Sequence, residues 1–416
     1  MKLLSETVSS CNEGELGITD ASSPHLSAWA EIDLARLLQN YRWLRRRAGV
    51  PVMAMVKANA YGHGLLPVAT FLQDVVRADW FGVATTEEGV ALRRAGITRP
   101  ILVLGGFWFG QEAAIVHYDL ATTLPDPDYL PVLEQAASQA GRTVAVHLEI
   151  DTGIGRLGLS PDQFAAVLER LKACPHLRLD GLMTHFASAD LPEHADFTRD
   201  QIRRHTRAVH QARAAGWTPR YIHLANSAGL HAFLPEAAGN LVRLGGLLYG
   251  IAGDALSPAF PPPPTQPVLS LHARILGLKT VPPGTPLGYG CTFVTRRPTR
   301  VATVPLGYGD GLHRIQSNRG QALVCGRKVP IIGRVSMDVT MLDVTDVPDV
   351  ALGNVATFIG SQGETTITAE EYAAVMGSIA LEATTALTAR VPRCYRAAAM
   401  SSAPGGREDA PASARE

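Results

Sequence analysis

Lys57 ends the apolar run PVMAMV and is followed by small residues, a tyrosine and two glycines, in the order ANAYGHG. A buried strand gains nothing from an unpaired ammonium group at its tip, because removing that charge from water is costly. Many lysines in such a position only mark where a chain reaches solvent. A lysine amine can also attack a carbonyl group and form a Schiff base. The residues that the fold brings beside Lys57 decide between these two interpretations.

Short apolar runs alternate with longer helix-like segments through the first part of the chain, which is typical of parallel βα units. The helix-like segments carry apolar residues at three- and four-residue spacing and often end at glycine. Eight apolar runs match the strand count of a TIM-type (β/α)8 barrel. The runs are PVMAMVK, WFGVAT, PILVLGG, LATTL, TVAVHLEID, DGLMTHF, YIHLAN and LVRLGG.

The texture of the sequence changes at residues 257–267, SPAFPPPPTQP, a proline-rich connector that neither a helix nor a central strand can include. Beyond it, strand-like runs are closely spaced and separated by turn residues, which is an all-β pattern. We therefore predict a flexible leader at residues 1–27, the barrel at 28–258, a mainly β C-terminal domain at 259–398 and a disordered tail at 399–416.

Catalytic groups of such barrels lie at the carboxyl ends of the strands. Phosphate sites commonly use the loops after strands seven and eight, where backbone N–H groups are free, and here NSAG and RLGG occupy those places. A lysine and a phosphate site on one face predict pyridoxal 5′-phosphate, whose aldehyde needs an amine and whose phosphate needs donors. The candidate residues at the strand ends are Lys57, Glu149, Asp151, Arg156, His185, Asn226, Ser227, Arg243, Gly245 and Gly246.

Composition and charge limit the possible partners. The 416 residues are 46% hydrophobic, and 38 basic side chains balance 38 acidic ones, so we expect no binding to nucleic acid or to a membrane surface. The five cysteines are widely spaced and include no Cys-x-x-Cys pair, which favours free thiols in a reducing compartment. No apolar run is long enough for a signal peptide or a membrane span. We therefore expect a cytoplasmic protein.

Ten motifs follow one another from Trp29 to Tyr395: AWAEIDLARLLQNY, MVKANAYGHG, DTGIGRLG, THFASAD, HLANSAG, VRLGGLLYG, PLGYGCTF, PLGYGDG, GRVSMD and ARVPRCY. Together they resemble the motifs of alanine racemases, which are fold-type III pyridoxal-phosphate enzymes. The resemblance implies an isomerase that interconverts L- and D-alanine as a homodimer with composite active sites. It also implies D-alanine biosynthesis for peptidoglycan precursors, while a catabolic role and racemisation of both alanine and serine stay open as alternatives.

The resemblance also implies roles for individual residues. Lys57 would bind the cofactor and act as one base at the α-carbon, and Tyr289 would act as the other base on the opposite face. Arg243 would face the pyridine nitrogen, and His223 and His185 would form a hydrogen-bond chain from Arg243 toward Tyr289. No metal ligand is implied. The residues implied for the cofactor are Lys57, Tyr61, Arg156, His185, Asn226, Ser227, Arg243, Gly245, Gly246 and Tyr249, and those implied for the substrate are Arg156, Met337 and Tyr308.

Two positions depart from the family pattern. Glu149, in HLEIDTG, stands where family members often carry a carbamylated lysine, and its carboxylate supplies the same negative charge beside Arg156. Leu381 stands where a phosphate-binding tyrosine is common, so one hydrogen-bond donor to the phosphate is missing. We expect activity that does not depend on bicarbonate, weaker cofactor binding and a wider substrate range.

Two functions from other classes remain as alternatives. A metal-dependent barrel hydrolase would use His147, Glu149, His185 and His223 as ligands, but it would leave Lys57 and the β domain unexplained. A non-enzymatic pyridoxal-phosphate carrier would share the lysine site. Such carriers resemble the barrel alone, so the second domain argues against that function.

Overall fold

The computed structural model of the protein describes residues 25–254 and 256–396. The predicted leader lies outside these residues except for its last three, and the predicted tail lies outside them entirely. Within them, the chain forms a parallel barrel followed by a β-rich domain, which confirms the predicted fold class. No helix in these two ranges is both long enough and apolar enough to cross a membrane.

Eight parallel strands form the barrel, and seven of them lie within the predicted runs, while the sixth begins three residues before its run and otherwise lies within it. The first seven pair in chain order, and the eighth pairs with the first. Between the seventh and eighth, the Asn240 amide donates to the Ile222 carbonyl (2.9 Å) and the Arg243 amide to the Ala225 carbonyl (3.0 Å). The barrel strands, numbered first to eighth below, are Val52–Met55, Trp80–Val83, Ile101–Val103, Ala121–Thr123, Val144–Glu149, Leu177–Met183, Tyr221–His223 and Val242–Leu244.

Helices connect the barrel strands, and their ends follow from local sequence. The helix Pro161–Leu171 starts at a capping box, in which the Ser160 hydroxyl accepts from the Gln163 amide and the Gln163 side chain accepts from the Ser160 amide. Its buried side chains recur every three or four residues, so one stripe faces the barrel. The helices of this part are Leu34–Ala48, Leu65–Phe71, Thr86–Arg94, Glu112–His117, Tyr129–Gln139, Pro161–Leu171, Ala195–Ala214 and Ser227–Ala232.

The second domain is built from sheets rather than from βα units. Its largest sheet has seven strands, and it includes Ala28–Asp33, the strand that precedes the barrel, between Leu269–Arg274 and Arg393–Arg396. The first and last described strands of the chain therefore lie side by side. The other strands are Gly277–Val281, Pro286–Leu287, Phe293–Val294, Thr299–Val304, Gln321–Val324, Arg327–Pro330, Thr340–Asp343, Val355–Gln362 and Thr365–Ile367, and the helices are Ala369–Ala374 and Ala380–Thr385.

The end of the second domain packs against the loop that follows Lys57. Buried Arg393 donates through Nε to the Gly62 carbonyl (3.0 Å), and the Tyr395 hydroxyl donates to the His63 carbonyl (3.0 Å). Gly62 and Gly64 both have positive φ, and a Cβ atom at Gly64 would lie 1.9 Å from the Tyr395 hydroxyl oxygen. The two glycines of YGHG therefore permit this close approach of the second domain.

Candidate active site

A cavity of about 420 Å³ opens at the carboxyl ends of the barrel strands. Every residue predicted to bind the cofactor lines it except Tyr249. The lining residues that the sequence analysis named are Lys57, Tyr61, Glu149, Arg156, His185, Asn226, Ser227, Arg243, Gly245, Gly246 and Leu381.

Lys57 begins a left-handed turn directly after the first barrel strand. The four residues Ala58–Tyr61 have φ between 52° and 56°. Such a conformation costs an L-residue roughly 1–2 kcal/mol, so other contacts must stabilise it. The Glu88 carboxylate does so by accepting hydrogen bonds from the amides of Ala58 (2.6 Å) and Ala84 (2.8 Å). The turn places the side chains at both of its ends in the cavity.

The surroundings of Lys57 favour its neutral form. Burial lowers the pKa of Lys57, and the positive charges of Arg156 and Arg243 lower it further, against the opposing effect of Glu88. A neutral amine is the form that attacks a carbonyl group. Lys57 therefore has the electrostatic surroundings that a Schiff-base lysine needs.

The loops after the seventh and eighth strands meet at the cavity. The Asn226 side chain accepts from the Gly229 amide (2.9 Å) and so caps the short helix Ser227–Ala232. The Ser227 hydroxyl accepts from the Leu247 amide (3.4 Å), which links the two loops. These loops supply a hydroxyl group and backbone amides, the donors that suit a phosphate group.

Tyr61 reaches the same loops from the turn after the first strand. A Cβ atom at Gly245 would lie 2.3 Å from the Tyr61 hydroxyl oxygen, so glycine is required there for Tyr61 to fit. Burial raises the pKa of Tyr61 to about 12, which keeps its hydroxyl a donor. Tyr249 lies outside the cavity lining: its ring packs against that of Tyr61 (5.1 Å between centroids), and its hydroxyl donates to the Met55 carbonyl (2.9 Å).

Arg243 is buried and held by carbonyl groups of the sixth and seventh strand ends. Its Nη1 donates to the His223 carbonyl (2.8 Å) and to His223 Nδ1 (3.1 Å). Its Nη2 donates to the carbonyls of Thr184 (2.6 Å) and Leu224 (3.1 Å), and lies 3.4 Å from His185 Nδ1. Burial lowers the pKa of Arg243 to about 10, so the guanidinium stays charged at neutral pH.

His223 uses both of its ring nitrogens inside the barrel. Nδ1 contacts Arg243, and Nε2 lies 2.9 Å from His147 Nδ1. Both nitrogens of this imidazole are therefore occupied, so His223 itself makes no direct contact toward Tyr289, and the predicted connection through His185 stays a prediction. From His223 the hydrogen bonds continue to His147, while His185 remains at the cavity.

Glu149 ends the fifth strand as a buried acid in the cavity. Burial raises the pKa of its carboxyl group, whereas the charges of Arg243 and Arg156 lower it. An acidic group thus lies near two arginines at the place where the sequence analysis expected a negative charge.

Tyr289, Tyr308 and Met337 belong to the second domain, and none of them lines the cavity of its own chain. Their side chains are 71%, 42% and 51% exposed, respectively. The loops that carry Tyr308 and Met337 are bonded together, because the Tyr308 amide donates to the Ser336 carbonyl and the Gly309 amide to the Met337 carbonyl (2.9 Å each).

Two family models cover most of the chain. The alanine racemase N-terminal domain matches residues 32–253, and the alanine racemase C-terminal domain matches residues 268–395. The chain belongs to the alanine racemase family. This family depends on pyridoxal 5′-phosphate.

Individual alanine racemases are similar over nearly their full length. The chain is 41% identical over 368 residues to that of Symbiobacterium thermophilum and 44% identical over 383 residues to that of Sorangium cellulosum. Both alignments cover 88% of this chain, with 96% and 98% of the respective relatives. The solved alanine racemase of Bacillus anthracis with bound L-Ala-P matches with a TM-score of 0.84 and 33% identity, covering 90% of this chain and 96% of that chain.

Membership of the alanine racemase family removes both alternative functions. The match of the second domain argues against a carrier built from the barrel alone. Two histidines considered as metal ligands, His147 and His223, bond each other instead. Within residues 25–254 and 256–396, no group of three or more His, Cys, Asp or Glu side chains is arranged to hold a metal ion.

Sequence reasoning missed three acidic residues at or near this alanine racemase site. Asp190 and Asp254 line the cavity, and the Asp254 carboxylate accepts from the Leu381 amide (2.6 Å), which fixes Leu381 beside the cavity. Glu88 supports the left-handed turn. A signal existed for Glu88, since it closes the capping box that Thr85 starts. Asp254 lies in the loop after the eighth strand, a place where functional residues are expected.

Proposed function

We propose that the protein interconverts L- and D-alanine with pyridoxal 5′-phosphate, using Lys57 and Tyr289 as the two bases. The observation that carries this proposal is the position of Lys57, a partly buried amine with a lowered pKa in the wall of a cavity that also contains donors for a phosphate group. Membership of the alanine racemase family supports the same reaction. The protein is accordingly an isomerase.

The cavity fits pyridoxal 5′-phosphate in its donor set. The hydroxyl groups of Tyr61 and Ser227 and the backbone of Gly246 would bind the phosphate, with Asn226 beside them. Arg243 would face the pyridine nitrogen. When bound, the cofactor withdraws electrons from the α-carbon of an attached amino acid and so makes its proton acidic.

Inversion at the α-carbon requires two bases, because a proton leaves one face and another arrives on the opposite face. Burial and two arginines lower the pKa of Lys57, which favours the neutral amine that is able to take the proton on one face. The Tyr289 hydroxyl gives or takes the proton on the other. After one turnover, each base has the protonation state that the reverse reaction requires. One site can therefore racemise both enantiomers.

Arg243 has a restraining role in this proposal. A guanidinium does not give up its proton readily, so the pyridine nitrogen that it would face stays unprotonated. An unprotonated pyridine ring withdraws electrons from the α-carbon less strongly. The carbonyl groups of Thr184, His223 and Leu224 fix the guanidinium in place. Moderate electron withdrawal favours racemisation over side reactions such as transamination.

The substrate carboxylate would be held from both domains. Arg156 lines the barrel cavity, and Glu149 supplies a negative charge near it without a carbamate. The backbone of Met337 would help to seat the carboxylate, and Tyr308 would narrow the entrance. The methyl side chain of alanine fits such a narrowed site. The alternative is racemisation of both alanine and serine. Leu381 favours that alternative, because it lines the cavity and is smaller than the tyrosine that is common at this position.

We infer a homodimer in which each site takes Lys57 from one chain and Tyr289 from the other. Lys57 lies inside the cavity, whereas Tyr289 lies outside it and is exposed in the single chain. Other large apolar side chains of the same domain are also exposed, which is typical of an interaction surface. They include Val294, Ile315, Met337 and Val339.

A cytoplasmic location fits the free thiols of Cys174, Cys291 and Cys325, since disulfides are rare in a reducing compartment. In that location we propose that the enzyme supplies D-alanine for peptidoglycan precursors.

Mixing two inactive variants tests the shared site. Lys57→Ala and Tyr289→Phe chains, combined under conditions of subunit exchange, should recover about one quarter of wild-type activity, because half of the dimers are mixed and each has one intact site. Racemisation of L-alanine is followed by optical rotation, and exchange is verified by native mass spectrometry. Exchange without recovered activity would contradict the shared site, and a parallel assay with L-serine measures the substrate range.

A further inference from the structure

A chain of buried polar side chains runs from the cavity into the barrel. Arg243 contacts His223, and His223 contacts His147, which ends the chain on the fifth strand. All three side chains are buried. The proposed function uses Arg243 but assigns nothing to His147.

The hydrogen bonds of this chain allow only one arrangement of protons. A guanidinium group has donors and no acceptor, so His223 Nδ1, which lies 3.1 Å from Arg243 Nη1, carries no proton. The single proton of His223 is therefore on Nε2, and it points at His147 Nδ1, 2.9 Å away. His147 Nδ1 must accept this hydrogen bond, which leaves the proton of His147 on its own Nε2.

Burial supports the neutral state of both rings. It lowers the pKa of His147 to about 4 and that of His223 well below its ordinary value, and the charge of Arg243 acts in the same direction on both. Among the charged groups near His147, Asp180 opposes the effect of burial, whereas Arg178 adds to it. Neither histidine can become an imidazolium without losing a hydrogen bond of the chain.

The fold leaves a defined space for the His147 ring. A Cβ atom at Gly181, its partner on the neighbouring sixth strand, would lie 2.2 Å from His147 Nδ1. The Tyr221 ring stacks on His147 (15° between planes), and the Trp80 ring meets it edge-on (67°). His147 Nε2 is buried with no hydrogen-bond partner among the described residues. The hydrogen bond at Nδ1 offsets part of the cost of burying the ring among apolar neighbours, whereas the unpaired Nε2 adds to that cost.

We propose that His147 is a positioning residue, which accepts the Nε2 proton of His223 and thereby fixes the tautomer in which His223 Nδ1 holds the Arg243 guanidinium in the cavity. Because every N–H of the chain points away from Arg243, the chain orients the guanidinium and carries no proton to it. The tautomers follow from the contacts alone, whereas the effect on the cofactor rests on the proposed function.

The tautomers are tested by nuclear magnetic resonance of the holoenzyme labelled with 15N-histidine. We expect His147 and His223 each to show a protonated Nε2 and an unprotonated Nδ1, with signals assigned by their loss in His147→Gln and His223→Gln. A protonated Nδ1 on either ring would overturn the proposal, whatever the activity of the protein.

Two substitutions of His147 separate positioning from packing. Glutamine keeps an acceptor for the His223 proton, whereas phenylalanine keeps a ring that packs well against Trp80 and Tyr221 but accepts nothing. We expect His147→Phe to lower kcat roughly ten- to hundredfold, with a smaller change in KM, and to shift the absorbance of the bound cofactor. His147→Gln should retain most of the wild-type kcat and absorbance. The reverse order, with phenylalanine closer to wild type, would show that His147 only packs the barrel.

The same pair of substitutions at His205 gives a matched control. His205 is also buried, on the helix Ala195–Ala214, and its ring bonds to the Leu182 carbonyl. His205→Phe and His205→Gln should leave kcat and the cofactor absorbance unchanged. If the His147 variants racemise alanine normally with unchanged absorbance, the positioning role fails while the proposed function stands. If wild-type protein fails to racemise alanine, the proposed function fails while the tautomers are still decided by resonance.

Discussion

The barrel cavity and the surface around Tyr289 present the proposed catalytic groups in opposite ways. In the barrel, Arg243 is buried and bonded to four acceptors, and a strained turn places Lys57 in the cavity wall. In the second domain, Tyr289 is 71% exposed on a short turn. A barrel can bury charged groups because its strand ends offer carbonyl acceptors. An exposed tyrosine gains such surroundings only when another surface covers it.

The largest expected difference between the two regions lies in cofactor attachment. Lys57→Ala should lose both attachment and activity, with racemisation falling by about four orders of magnitude or more. Tyr289→Phe should fall roughly 10²- to 10³-fold but keep the cofactor on Lys57, because a phenyl ring removes only the second base. Borohydride reduction followed by peptide mapping reports attachment, and initial rates with L- and D-alanine report activity. A label on Lys172, Lys279 or Lys328 would refute the assignment of Lys57.

The charge at Glu149 tests the barrel side of the comparison further. Glu149→Lys places a positive group near Arg156 and Arg243, so we expect activity to fall at least about tenfold, which corresponds to about 1.4 kcal/mol in the activation free energy. Added bicarbonate should partly restore this activity, because the lysine amine then forms a negatively charged carbamate. Wild-type activity should not change when bicarbonate is removed by degassing. Glu149→Gln is the control, since it also lacks the carboxylate but has no amine, and its activity should not respond to bicarbonate. A bicarbonate requirement in the wild type would contradict this role of Glu149.

Buried histidines make the barrel side sensitive to acid. Burial lowers the pKa of five histidines by a large amount in the native state, so the unfolded chain binds more protons below about pH 6.5. Their contribution to stability is complete above that pH and is lost as the pH falls toward about 4, at roughly 1 kcal/mol per histidine for each pH unit. The five residues are His63, His147, His185, His205 and His223.

Urea unfolding between pH 7 and 5.5 measures this loss. His63→Gln removes one of the five titrating groups at a residue that does not itself line the cavity, so its free energy of unfolding should fall less steeply with pH than that of the wild type. The m-value should stay constant, as a check that both proteins unfold in the same way. Equal steepness in the two proteins would show that His63 does not stay neutral in the native state.

The smallest expected effect concerns Leu381, which brings the second domain to the edge of the barrel cavity. A tyrosine hydroxyl bonded to a phosphate oxygen is worth up to about 1.5–3 kcal/mol. Leu381→Tyr should therefore tighten cofactor binding by about tenfold and lower the rate with serine relative to alanine. Leu381→Phe is the control, because it adds the ring without the hydroxyl and should narrow the substrate range without tightening binding. Unchanged cofactor affinity and an unchanged ratio in Leu381→Tyr would make Leu381 a packing residue.

The fold class could be predicted from local patterns, because strands and helices each have a characteristic hydrophobic periodicity along consecutive residues. The placement of Ala28–Asp33 in the sheet of the second domain could not be predicted in this way. That strand pairs with residues more than 200 positions away, and the hydrophobic pattern of a strand does not indicate which other strand it pairs with. The pairing of the same strand with Arg393–Arg396, near the end of the chain, could not be predicted for the same reason.

The sequence by itself determined the eight barrel strands, the family and Lys57 as the residue after the first strand, since these depend on residue order and on motifs read along the chain. Only the tertiary structure decided that Tyr249 supports Tyr61 from outside the cavity and that His223 bonds His147. A side chain's partner depends on which groups other strands bring within about 3 Å, and that distance is set by packing between segments far apart in the chain.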